Sequence, residues 1–271
     1  MTETASRYEA VTLTVADGIA QLTLNRPSTL NALNDAMFRE IPMAVTEASQ
    51  AGARALLITG AGRGFCSGAD LVGRPFAPTT TDEQRELNNR IGFERVISLV
   101  RGINEAPMPV VCAINGVAAG GGVGIALAGD VILMARSARF VLTFVPKLGL
   151  VPDVGATWYL TRLAGRARTM AARLLGDAIS AEEAERWGLV ARLYDDASLQ
   201  AEAMAICRRL ADGPQRAVIG TRQLVDAAPQ MPIGSHILLE RDIQVKLVGS
   251  PEHVEGTLAF REKRPAKFNK S

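Results

Sequence analysis

Residues 110–127 read VVCAINGVAAGGGVGIAL, and residues 55–70 read ALLITGAGRGFCSGAD. Both have one shape: an apolar run of strand length, a Gly-rich turn, then the start of a helix. Strands that feed into helices in this way build an α/β chain. The turn also leaves backbone N–H groups facing outward at a helix start, where a negative charge is welcome. Two such turns can converge on one oxygen. On spacing alone, Gly120-Gly121-Gly122 equally suits a close-packed crossover that needs residues without Cβ. Neither turn fits the GxxxxGK[ST] phosphate loop, and Gly120-x-Gly122 lacks the full GxGxxG context and its later acidic residue.

On either side the same alternation continues. Residues 11–15 and 20–25 alternate as a hairpin around Ala16-Asp17-Gly18, and 131–135 is another buried run. Helical spacing covers Ala32 to Ser49, Asp82 to Val100, Gly122 to Ala128 and Gly155 to Leu163. A capping box, Ser180-Ala181-Glu182-Glu183, then opens a stretch where the one further strand expected is Leu189 to Leu193. Helices are predicted at 199–211, 214–227, 234–248 and 251–263. A soft boundary near 195–200 therefore separates an α/β core, 1–197, from a helical region, 198–271. Residues 72–92, Pro/Thr-rich and then charged, read as a mobile lid and helix start.

Composition narrows the function. With 271 residues, 48% hydrophobic and 21% charged, the chain can bury one sizeable core. The net charge of +2 gives no basic stripe for nucleic acid and no polybasic membrane anchor. No run reaches the roughly 18 apolar residues of a membrane span. The start, MTETASRYEA, has no basic and apolar leader, and Cys66, Cys112 and Cys207 are odd in number and set among apolar or Gly neighbours. Reduced thiols and a cytoplasmic protein are expected. His236 and His253 are the two histidines, and no CxxC or HExxH occurs, so neither a metal site nor a histidine triad is expected.

Six segments carry a specific resemblance: LNRPSTLNAL (24–33), GRGFCSGADL (62–71), INGVAAGGGVGIALAGDV (114–131), LGLVPDVGATWYLTRLAG (148–165), ISAEEAERWGLV (179–190) and AFREKRPAKF (259–268). In order and spacing they resemble the crotonase, or enoyl-CoA hydratase/isomerase, superfamily over nearly the whole chain. The resemblance implies an α/β spiral of ββα units with a C-terminal helical trimerisation region, a homotrimer or dimer of trimers, and an acyl-CoA thioester substrate. Coenzyme A enters as part of that substrate, so no separate cofactor is expected. Carried over by position, the oxyanion donors are the backbone N–H groups of Ala69 and Gly121. Two amides aimed at the thioester oxygen stabilise an enolate by about 3 kcal/mol each. The residues matching CoA-lining positions are Ser28, Thr29, Leu30, Ser67, Ala69 and Leu71, with Phe260 and Lys263 from the C-terminal segment. Lys263 also reads as part of a solvated basic tail. Asp70 and Asp130 read as structural carboxylates holding turns.

The proton chemistry departs from a two-glutamate hydratase. The family's first glutamate falls on Gly124, and the second falls at Phe144 or Val145, depending on where a one-residue insertion is placed. None of these carries a proton, and general acid–base work needs a titratable group in reach. A glutamate restored at 124 is expected to add hydration only modestly. Asp153, in LGLVPDVGATW, reads by itself as a helix N-cap. Its surroundings resemble 1,2-epoxyphenylacetyl-CoA isomerase-like and other enoyl-CoA isomerase members, where the matching Asp moves the proton. Burial beside Val151, Val154 and Trp158 is expected to raise its pKa. Alternatives stay open: an enoyl-CoA hydratase, a 4-chlorobenzoyl-CoA dehalogenase-like hydrolase using Asp153 as nucleophile, and a non-catalytic acyl-CoA-binding protein.

Overall fold

A computed structural model of the chain describes residues 8–71 and 81–268. The predicted hairpin forms from β1 (Val11–Ala16) and β2 (Ile19–Leu24), paired antiparallel around Asp17-Gly18. Both turn residues have positive φ, 52° and 74°, the geometry that matches the twist of paired strands. Helix α1 (Asp35–Gln50) follows, capped by the Asn34 side chain, which accepts the Met37 N–H at 3.0 Å.

Three ββα units come next. They are β3 (Ala55–Gly60), β4 (Gly64–Cys66) and α2 (Asp82–Asn104); β5 (Val110–Ile114), β6 (Val117–Ala119) and α3 (Gly121–Leu127); and β7 (Val131–Ala135), β8 (Arg139–Val141) and α4 (Ala156–Leu175). The three apolar runs read from the sequence land on β3, β5 and β7. These first strands lie parallel in a six-stranded sheet, ordered β1-β2-β3-β5-β7-β10, and the second strands lie in a four-stranded sheet, ordered β4-β6-β8-β9. Each unit thus gives one strand to each sheet, which is the expected α/β spiral. Every residue of β3 and β5 is buried, as continuous apolar strands covered on both faces should be.

The last core elements are β9 (Ile179–Ser180), α5 (Ala181–Arg186) and β10 (Arg192–Tyr194). The predicted capping box is present at α5: Ser180 Oγ accepts the Glu183 N–H, and Glu183 accepts the Ser180 N–H, both at 3.2 Å. Helix α6 (Leu199–Ala211) lays Leu199, Ala203, Cys207 and Ala211 against β3, β5 and β7. The first helix after residue 198 is therefore packed into the core. Beyond it, α7 (Gln215–Ala227), α8 (Ile233–Leu247) and α9 (Pro251–Arg261) bury Gly220, no residue and Ala259 respectively. Arg222 ties α7 down, pairing with Asp130 at 2.5 Å and donating to the Ala106 and Met108 carbonyls. Among the described residues no helix is long and apolar enough to cross a membrane.

Candidate functional site

The first wall of the site is built around a buried asparagine. Asn31, at positive φ, donates its side-chain amide to Ala61 O at 3.0 Å and Gly64 O at 2.8 Å and accepts the Arg26 N–H at 2.8 Å. This fastens the short helical turn Pro27–Thr29 to the β3–β4 connection. Ser67 completes the join, its hydroxyl donating to Thr29 O and its N–H to Leu30 O, each at 2.9 Å. Ser28, Thr29, Leu30 and Ser67 are thereby gathered on one rim, with Leu71 half-exposed at its end. Asp70 pairs with Arg26 at 2.9 Å, and Arg26 also donates to Ala32 O at 2.6 Å, so this carboxylate holds the loop. The organising roles of Asn31 and Arg26 are not legible from composition or period, because Asn31 acts on backbone thirty or more residues away and Arg26 on the Asp70 carboxylate.

The two Gly-rich turns do converge. Leu33 forms a single parallel bridge with Ala69: its N–H donates to Gly68 O at 2.7 Å and its carbonyl accepts the Asp70 N–H at 3.0 Å. In such a bridge the central residue's own N–H points the other way, so the Ala69 amide faces away from Leu33. Gly68 has φ 87°, and a Cβ there would stand 2.8 Å from Ala119 O and 3.4 Å from Gly120 Cα. The backbones of the two turns touch. Gly121 is the first residue of α3, so its amide has no intrahelical acceptor.

Asp153 reaches this junction through a left-handed turn. Val154 has φ 51° and Gly155 φ 70°, and a β-branched residue at positive φ is a costly conformation that its surroundings must enforce. Those surroundings are two glycines of α3. A Cβ on Gly121 would stand 2.9 Å from Val154 Cγ2 and 3.6 Å from Asp153 Oδ1, and one on Gly124 would stand 2.0 Å from Val154 O. The turn lies directly on α3 because neither residue has a side chain. The place where a hydratase glutamate was expected to be restorable is thus filled by the Val154 carbonyl, and the modest gain expected from that substitution is withdrawn.

Two further expectations are corrected. Val151 is 81% exposed and Trp158 44% exposed, so of the three expected neighbours only Val154 lies in the core. The Asp153 Oδ1 atom is itself buried. Helix α4 begins at Ala156 with Gly155 as its N-cap residue and without a side-chain cap, so the N-cap reading of the Asp153 carboxylate does not hold. Its backbone carbonyl accepts the Ala156 N–H instead, at 3.0 Å.

The second expected carboxylate position falls in a π-helical turn, Phe144–Leu148, whose extra residue per turn is how a helix absorbs a one-residue insertion. Phe144 is buried and brings its ring to 3.3 Å from where a Gly120 Cβ would be. Burial pushes the Cys66 thiol up to about 12 and the Tyr159 hydroxyl, which donates to Asn104 Oδ1 at 2.7 Å, up to about 12, so neither group ionises near neutral pH.

A residue that sequence reasoning missed is Arg173. It lies in the second half of α4, beyond a break at Gly165 (φ 78°, ψ 166°), and is buried where the charge of Asp153 acts on it. In the run GRARTMAAR it reads as one more solvated arginine. Of the lid, residues 72–80 lie outside the described residues. Thr81 caps α2, whose Leu87, Ile91 and Phe93 are exposed. Phe260, 86% exposed, borders a cavity of about 410 Å³ between α7, α8 and α9, and Lys263 follows at positive φ. Among the described residues no three His, Cys, Asp or Glu side chains gather as a metal site.

Comparison with known proteins shows the family. The family described as enoyl-CoA hydratase/isomerase matches residues 14–271. Over 256 residues the chain is 42% identical to 1,2-epoxyphenylacetyl-CoA isomerase of Escherichia coli, covering 94% of this chain and 96% of that protein. It is 38% identical over 263 residues to a protein of Rhodobacter capsulatus named probable enoyl-CoA hydratase, covering 96% and 98%. The solved structure of an enoyl-CoA hydratase from Bacillus anthracis matches with a TM-score of 0.87 at 29% identity, covering 97% of this chain and 100% of that one.

Proposed function

The chain belongs to the enoyl-CoA hydratase/isomerase family, and from that premise we propose that it isomerises an unsaturated or ring-bearing acyl-CoA thioester with Asp153 as proton shuttle. The observation that carries the reading is the seating of the 153–155 turn on Gly121 and Gly124. It sets Asp153 Oδ1 3.6 Å from where a Gly121 Cβ would stand and lays the Val154 carbonyl over Gly124, the position on which the family's first glutamate falls. In this mechanism the Ala69 and Gly121 N–H groups hold the thioester oxygen. Asp153 removes a proton at C2, the amides stabilise the dienolate, and the same carboxyl returns the proton at C4. Ser28, Thr29, Leu30, Ser67 and Leu71 form the rim along which the CoA moiety runs, with Phe260 and Lys263 as further contacts. No cofactor is needed beyond the CoA already in the substrate.

The 38% identical relative named as a hydratase favours hydration as the competing reading, and parallel assays separate the two. Isomerisation of a 3-enoyl-CoA should exceed hydration of a 2-enoyl-CoA, and comparable or faster hydration rejects the proposal. Asp153→Asn should lower kcat by roughly 10² to 10⁴-fold, the usual worth of a positioned general base, with acyl-CoA binding nearly intact. Folding should change little, because the side chain does not cap α4. An Asp153→Asn protein that turns over normally would return the assignment to the exposed acids of α2, Asp82, Glu83, Glu86 and Glu94.

A further inference from the structure

Arg173 is 4% exposed, and its Nε, Nη1 and Nη2 atoms are all buried with no hydrogen-bond acceptor among the described residues. A guanidinium has five N–H donors and keeps its charge, so burying one without partners is costly, and an apolar side chain of similar volume would pack there at less cost. The neighbouring positions show ordinary solutions: Thr169, also buried, donates its hydroxyl to Gly165 O at 2.9 Å, and Ala172 carries no polar atom. An arginine in this place calls for another explanation than packing.

Asp153 supplies it. A straight helix would carry residue 173 about 25 Å beyond Ala156, but α4 breaks at Gly165. Just past its end a Cβ on Gly176 would stand 2.6 Å from Pro146 Cγ of the π turn, the turn whose Phe144 ring lies 3.3 Å from where a Gly120 Cβ would be, next to Gly121 and Asp153, so that the Asp153 charge reaches Arg173. Burial draws the guanidinium down to about 10, and the Asp153 charge opposes that fall. The attraction works equally in the other direction, since a cation beside a carboxylate favours its ionised form while burial favours the neutral acid. A neutral carboxyl cannot accept a proton.

We propose that Arg173 is a positioning residue for the proton shuttle: buried in the half of α4 that packs against the π turn, its cation holds the Asp153 carboxylate in the ionised form from which proton removal begins. The inference rests on the reading of Asp153 as the shuttle. Among the described residues, the following charged and titratable groups of the surrounding elements are placed differently. Helix α3 has no titratable side chain, and Cys66 on β4 and Tyr159 on α4 stay protonated to about 12. Lys147 is exposed in the π turn. On α4, Arg162 lies over the Trp158 ring at 4.2 Å, Arg168 over the Trp187 ring at 5.6 Å, and Arg166 is exposed. On α2, Arg95 pairs with Asp35 and Arg101 with Glu105.

The test is the pH profile of kcat/KM for the 3-enoyl-CoA reaction, with melting temperature, for the full chain and for Arg173→Met, Arg173→Gln, Arg173→Lys and Asp153→Asn. Arg173→Met should melt no earlier than the parent, while its acid limb moves to higher pH by about one unit or more, with activity regained at alkaline pH. Arg173→Gln, which keeps donors but drops the charge, should shift the limb in the same direction and stands in if the Met variant does not fold. Arg173→Lys should restore the parent profile. A limb that stays in place in both uncharged variants while Asp153→Asn is inactive overturns the role of Arg173 alone. Equal loss of rate at every pH with early melting, Lys variant included, makes Arg173 a packing residue and also overturns it. Normal turnover by Asp153→Asn overturns the shuttle reading and this one with it.

Discussion

At the scale of single residues, the candidate site depends on groups that are missing as much as on groups that are present. A Cβ on Gly124 would stand 2.0 Å from the Val154 carbonyl oxygen. Gly124→Ala should therefore cost about 2 kcal/mol or more, as other overpacked core positions do. It should also lose turnover, because the Val154 carbonyl must move and Asp153 is its neighbour. Gly124→Glu should behave worse and gain no hydration, which denaturant midpoints and the two parallel assays will show. An active, stable Gly124→Glu hydratase would mean that the 153–155 turn can be displaced without harm. Asp153 as the proposed proton shuttle is legible in the sequence through the family's motif, but the turn that supports it is not. A valine at positive φ is the last residue one would assign to a left-handed turn, and nothing in VPDVGATW reveals that two glycines thirty or more positions upstream accommodate it. Arg173 is hidden for a similar reason: helical spacing groups it with exposed arginines until the Gly165 break is known.

At the scale of elements, the period of the apolar residues carries most of the information. The hairpin, the three buried strands and the capping box are read directly because each is decided by local pattern. Two elements are not. The π turn at Phe144–Leu148 has no propensity signal of its own, and α4 runs to Leu175 where the pattern suggested an end near Leu163. Cysteines tie several elements to one pH response. Burial pushes Cys66 on β4 and Cys207 on α6 from an ordinary 9.0 to about 12, and raises Cys112 on β5 as well. A thiol whose folded pKa lies above its unfolded one contributes its stability fully below pH 9 and loses it as pH climbs toward 12, because the unfolded chain then releases protons that the folded chain keeps. The Tyr159 hydroxyl, raised from 10.0 to about 12, acts in the same sense. Melting temperature should be flat with respect to these groups up to about pH 8.5 and fall above pH 9. An aromatic disulfide reagent should leave all three thiols unmodified until the protein is unfolded. Fast labelling of the native protein at neutral pH would contradict the buried placement.

At the scale of the whole molecule, the helices after α6 leave an account open. Helix α8 buries none of its residues, and Val225, Ile233, Ile237, Leu238, Val245, Val254, Leu258 and Phe260 remain exposed. So much apolar surface on adjoining helices is unusual for a monomer. The expected outcome is a homotrimer or a dimer of trimers, and sedimentation at micromolar concentration checks it; a monomer there rejects it. Removing residues 259–271 should also weaken CoA binding if Phe260 and Lys263 take part, whereas unchanged affinity would leave them as tail residues. The touching backbones at Gly68 and Gly120 have a different kind of consequence, one for reading genetic data. The groups proposed to hold the substrate oxygen are amides, which every residue except proline possesses, so a saturation scan would record Ala69 as a permissive position. The same scan would mark Gly68, where any Cβ runs into the Ala119 carbonyl at 2.8 Å, as intolerant. A map of mutational sensitivity for this protein would therefore outline the candidate site by its neighbours and leave an apparent blank at one of the amides proposed to hold the oxygen.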